Sequence, residues 1–90
     1  MKSMKALDRF ENDFLDFAYI DGDHAFESCI QDIIKWSYKV RHGGIIAVHD
    51  YTNMPGSVGI AVNAYTQAHH IDPWYVTTKE REGTAFWVKP

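Results

Sequence analysis

Two runs of four apolar residues, Phe17-Ala-Tyr-Ile20 and Ile45-Ile-Ala-Val48, constrain this chain more than any other feature. Each passes without alternation straight into a polar cluster: Asp21-Gly-Asp-His24 after the first, His49-Asp-Tyr51 after the second. Short unalternated runs read as strands buried on both faces, the pattern of a parallel sheet. The stretch between them has a different period. Phe26, Cys29, Ile30, Ile33, Ile34 and Ser37 follow the i, i+3, i+4, i+7 rule of one helical face, and Glu27, Gln31, Asp32, Lys35 and Lys39 lie mostly away from it. This spacing predicts a helix from Ala25 to about Val40, with Asp23 as a candidate cap. Lys39, Arg41 and His42 suit the negative end of its dipole, and Gly43-Gly44 read as its stop. A strand–helix–strand crossover makes the two strands parallel and is right-handed in nearly all cases. Asp21 and Asp50 are therefore expected on one rim, at the carboxyl ends of neighbouring strands, where open α/β sheets bind ligands. The plainer alternative is that Asp21 to His24 form only a turn and a helix cap, since Asp and Gly are common in turns.

The flanking segments complete the order. Residues 1–16 mix charges with Leu7, Phe10, Phe14 and Leu15 at helical spacing, which suggests a short helix or helix remnant. Thr52 to Gly56 read as a loop, Ser57 as an N-cap, and Val58, Ala61, Val62, Tyr65 and Ala68 as a second amphipathic helix ending near His69-His70. Trp74 to Thr78 and Thr84 to Val88 are rich in β-formers around a charged turn with Gly83, the signature of a hairpin. The result is a single α/β domain over residues 1–90, ordered β-α-β-α-β-β, with 1–16 as an extension and 17–90 as the body. Trp36, Trp74 and Trp87 are assigned to the core.

Composition closes off several classes of function. A hydrophobic fraction of 46% and an aromatic fraction of 14% are those of a globular protein and exclude a disordered one. A formal charge of −3 supplies no basic field, so no nucleic-acid partner is expected. No apolar run approaches the roughly 18–20 residues that cross a membrane, and the opening Met1-Lys-Ser-Met-Lys5 lacks the apolar stretch of a signal peptide. The single cysteine, Cys29, cannot form an internal disulfide and sits on the apolar helical face, which fits a reducing, cytoplasmic setting.

Three pieces in order carry a resemblance: Tyr19-Ile-Asp-Gly-Asp-His24, the Trp36 helix leading into Gly43-Gly-Ile-Ile46, and His49-Asp-Tyr51. Together they resemble the C-terminal half of a class I S-adenosylmethionine-dependent methyltransferase, over about residues 14–90. The likeness is strongest to the small-molecule O-methyltransferase branch with Asp-Gly-Asp-His and His-Asp-Tyr at these points. It implies a partial Rossmann-like fold: in the family's sheet order 3-2-1-4-5-7-6, with strand 7 antiparallel, the two apolar runs correspond to strands four and five and the hairpin to six and seven. It also implies a divalent cation, Mg2+ or another, held by an acid ending the fourth strand and an Asp-Asn pair ending the fifth. Those positions fall on Asp21 and on His49 and Asp50, with His49-Asp50 standing in place of Asp-Asn. Asp21 also lies at the rim of the implied cofactor site, and His24 is the candidate general base.

The family's glycine-rich loop and ribose-binding acid precede its fourth strand, and residues 1–16 hold no counterpart of either. The expected function is therefore a methyltransferase-like domain, a fragment of an enzyme acting on a small molecule and inactive alone. A non-catalytic dimerisation or binding module that keeps the half-fold is the alternative, and a metal-dependent hydrolase using His49-Asp50 ranks third. An apolar strand with an unpaired edge invites pairing, so a homo-oligomer through the edge of residues 17–20 is expected, unless residues 1–16 cover it.

Overall fold

The computed structural model describes residues 10–90. Six elements follow in order: β1 (Leu15–Ile20), α1 (Phe26–Lys39), β2 (Val40–His49), α2 (Val58–Ala68), β3 (Tyr75–Val76) and β4 (Thr84–Val88). They build a mixed α/β domain on one four-stranded sheet, in the order β1-β2-β4-β3. β1 and β2 are parallel, as the crossover through α1 requires, and β4 runs antiparallel to both β2 and β3. The fold class is thus a partial Rossmann-like sheet with two parallel strands and a C-terminal antiparallel hairpin. Among the described residues, no helix is long and apolar enough to cross a membrane.

Both helices pack on one face of the sheet. Register places Ala18, Ile46 and Trp87 in one row across β1, β2 and β4, and Ile20, Val48 and Ala85 in the next. These residues join Cys29 and Ile33 of α1 and Val58, Ala61 and Val62 of α2 in a single core. Trp87 is buried at its centre and stacks on Tyr65, while Trp36 and Trp74 pack at its margin. Fully burying a side chain the size of Ile33 or Ile46 stabilises the fold by about 1.5–3 kcal/mol.

The opposite face departs from expectation. Phe17, Tyr19, Ile45, Tyr75 and Val88 point to it and are between 38% and 55% exposed. The strands are therefore buried on one face and uncovered on the other. Their true period is two, hidden because the residues on the uncovered side are apolar as well.

Three boundaries also differ from the sequence reading. β1 begins at Leu15, so Leu15 and Asp16 belong to the strand and not to an N-terminal extension. Residues 13 and 14 turn onto the end of α1, with Asp13 N–H donating to the Tyr38 carbonyl (2.8 Å) and Phe14 N–H to that of Lys39 (2.8 Å). The helix expected around Leu7 falls outside the described residues. Gly43 and Gly44 do not stop α1: the helix ends at Lys39, and β2 starts at Val40. They lie in a bulge, where the register jumps from Leu15↔Val40 to Phe17↔Ile45. A Cβ on Gly44 would lie 2.5 Å from Val40 Cγ1 and 2.8 Å from the Asp16 carbonyl oxygen, so the bulge closes only over glycine. Lys89 sews it to β4: its N–H donates to the Gly44 carbonyl (2.8 Å), its carbonyl accepts from Gly43 N–H (2.8 Å), and its Nζ donates to the Val40 carbonyl (2.7 Å).

Candidate functional site

The carboxyl ends of β1 and β2 lie side by side, because the two strands are parallel, adjacent and in register from Phe17↔Ile45 to Ile20↔Val48. Asp21 follows the first strand and Asp50 the second. Gly22 turns the chain back toward α1, and His24 comes with it. One ligand atom each of Asp21, His24 and Asp50 falls within 4.8 Å of the others. His24 Nε2 lies 2.6 Å from Asp50 Oδ2. Asp50 is buried, while Asp21 and His24 are exposed, so the group opens to solvent from a fixed floor.

The floor is held from several sides. Asp50 itself sits at φ +67°, in the left-handed region that aspartate tolerates better than most residues. Beyond it, Tyr51 N–H donates to the Gly83 carbonyl (2.9 Å) and Thr52 N–H to that of Glu82 (2.9 Å), so the loop after β2 hangs on the β3–β4 turn. Gly83, at φ +69°, has no room for a Cβ against the Thr52 side chain. Asp23 does not cap α1 directly. It accepts from Ala25 N–H (3.0 Å) and the Ser28 hydroxyl (3.4 Å), fixing the turn that delivers His24.

His49 is placed differently from the other three candidates. Its Nδ1 lies 3.3 Å from Thr84 Oγ1, and its Nε2 lies 3.7 Å from Asp50 Oδ1. The Thr84 hydroxyl donates onward to Glu80 Oε1 (2.6 Å), which also accepts from the Thr77 hydroxyl (2.8 Å). Those hydrogen bonds hold the Glu80 carboxyl below the ordinary glutamate range. Tyr19 lies beside His49, the rings tilted at 41° with centroids 5.9 Å apart. Partial desolvation pushes its phenol above the ordinary range, and the charges of Asp21, Glu80 and Asp50 add to this.

Two contributors lay outside the sequence reading. Asp32, assigned to the solvent side of α1, is buried. Its Oδ2 lies 3.3 Å from where a Cβ on Gly22 would stand, so a carboxylate packs directly under the Asp21–His24 turn. Its position one step before Ile33, at the edge of the apolar stripe, was the available signal. The Thr84–Glu80 pair had no local signal, since only the hairpin brings it to His49. Cys29 behaves as expected: burial pushes its thiol up to about 11, with the charge of Asp32 adding to this.

Two carboxylates and an imidazole converging on one open point can hold a divalent cation or pass a proton. The contact from Nε2 to Asp50 fixes the orientation of the His24 ring.

A family model described as a methyltransferase domain matches residues 1–51, more than half of the chain, and includes all four of these site candidates. The chain belongs to the methyltransferase domain family. Such a family generally uses S-adenosylmethionine. Among solved structures, the methyltransferase domain is similar to the O-methyltransferase NovP, at 27% identity and a TM-score of 0.69, over 86% of this chain. The matched part is 30% of that structure's chain, so this sequence spans under a third of its length. No curated protein sequence matches the chain.

Proposed function

We propose that this chain is the C-terminal portion of an S-adenosylmethionine-dependent O-methyltransferase acting on a small-molecule hydroxyl. Alone, it holds the reaction's cation but not its methyl donor. The observation that carries this reading is the convergence of Asp21, His24 and Asp50 at the carboxyl ends of two adjacent parallel strands. The order β1-β2-β4-β3 supports the C-terminal placement, since it repeats the 4-5-7-6 order of the family's last strands. Asp21 and Asp50 are the oxygen donors for a divalent ion, and Asp21 also borders the cofactor. A bound ion would acidify the acceptor hydroxyl and orient it toward the sulfonium methyl. His24 takes the proton from that hydroxyl, with Asp50 fixing its ring. His49, anchored on Thr84, braces Asp50 from behind. Two carboxylate donors suit a hard, oxygen-seeking ion such as Mg2+ or Mn2+.

Calorimetric titration tests both halves of the reading. The chain is expected to bind Mn2+, to lose that binding in Asp50→Asn, and to give no heat with submillimolar S-adenosylmethionine. Absence of Mn2+ binding removes the cation site. Submillimolar binding of the methyl donor removes the view that this is a partial site.

A further inference from the structure

Two aspartates are buried among the described residues, Asp50 and Asp32. Asp50 faces the rim, but the methyl-transfer reading gives Asp32 nothing to do. Taking a carboxylate out of water is costly unless polar partners compensate it, and Asp32 is not without them. At 1% exposure it has no route by which to swing into solvent, so it is a fixed point in the floor of the site.

The turn that carries Asp21 and His24 lies along one strip of α1. Ser28 and Asp32 stand four residues apart on that helix, and so on the same side of it. The Ser28 hydroxyl donates to Asp23 Oδ2 (3.4 Å), and Asp32 Oδ2 lies 3.3 Å from where a Cβ on Gly22 would stand. Consecutive residues of the turn thus rest on consecutive turns of the helix. Gly22 is not one of the glycines at positive φ, which are Gly43 and Gly83. Its backbone is therefore open to other residues, and what favours glycine here is the closeness of Asp32. An added methyl would have to push against a carboxylate that cannot yield, and so would lift the turn instead.

We infer that Asp32 is a positioning residue: its buried carboxylate is the stop on which the Gly22 backbone rests, and through that stop it sets where Asp21 and His24 stand relative to Asp50. The inference deepens the cation reading and rests on it for its consequence, whereas the contact itself needs no ion.

A double-mutant cycle on the 90-residue chain tests it, with Mn2+ affinity read by calorimetry. Gly22→Ala should weaken Mn2+ binding about three- to tenfold, and Asp32→Ala about tenfold, the low end for groups that act through a ligand. With Asp32→Ala already present, Gly22→Ala should cost less than about twofold, because the obstacle is gone. The charge lost with Asp32 is common to both members of that second pair and cancels. Ile33→Val, a core truncation on the same helix, should leave the affinity unchanged. In the metal-free chain, nuclear Overhauser contacts between the His24 ring and the Asp50 methylene should weaken in Gly22→Ala and in Asp32→Ala, and no further in the double variant. Equal cost of Gly22→Ala in both backgrounds, or an equal loss in Ile33→Val, overturns the inference. A parent chain that binds no Mn2+ removes the cation reading alone. The contacts in the metal-free chain then decide this one, and their survival in both single variants overturns it.

Discussion

Asp50 does two jobs that substitution can separate. Its carboxylate faces His24, and its backbone sits at φ +67°. Asp50→Gly and Asp50→Ala both delete the carboxylate and differ only in how they bear that backbone. An ordinary L residue pays about 1–2 kcal/mol to occupy the left-handed region. Glycine escapes this but gives back about 0.5–1 kcal/mol through the extra freedom of its unfolded chain. The glycine variant should therefore be the more stable by roughly 0.5–1 kcal/mol. In a domain of this size that is a melting temperature higher by about 2–8 °C. Asp50→Asn should keep the backbone comfortable while removing the charge. Thermal melts followed by circular dichroism, alongside Mn2+ titration, read both effects. All three variants should lose cation binding, and only the alanine variant should carry the backbone penalty. An alanine variant as stable as the glycine variant would falsify the claim that this turn is strained.

Two further outcomes follow from packing and charge. Gly44→Ala should destabilise the domain by about 1–3 kcal/mol or more, because the added methyl meets Val40 and the Asp16 carbonyl within the bulge; urea unfolding measures it. Glu80 is held below its ordinary range by Thr84 and Thr77, so its contribution is fully present above the unfolded-state value and is lost as pH falls through the folded-state value. Melting temperature should therefore drop between about pH 5 and about pH 3, and Glu80→Gln should flatten part of that drop. A Glu80→Gln profile that overlays the parent's would show that these hydrogen bonds do not favour the charged carboxyl.

Much of the fold was legible because its signals are local. Apolar runs of four, a helical stripe between them and a glycine-bearing turn in the hairpin each lie within a few residues of one another. From these came the parallel pair, both helices and the adjacency of Asp21 and Asp50. What stayed hidden depends on residues far apart in sequence. Gly43-Gly44 looks the same whether it ends a helix or forms a bulge; the difference lies in Lys89. The exposure of Phe17 and Tyr19 depends on which sheet face the helices choose, and nothing in those residues states it. The orientation of His49 likewise waits on Thr84, which arrives with the hairpin.

The link from Tyr51 and Thr52 to the β3–β4 turn has a consequence for how such a domain can vary. The corner that holds Asp50 takes its shape from a ribbon much later in the sequence. Shortening or rebuilding that ribbon would re-aim Asp50 without altering Asp21 or His24, so the shape of this rim can change while its charged groups stay the same.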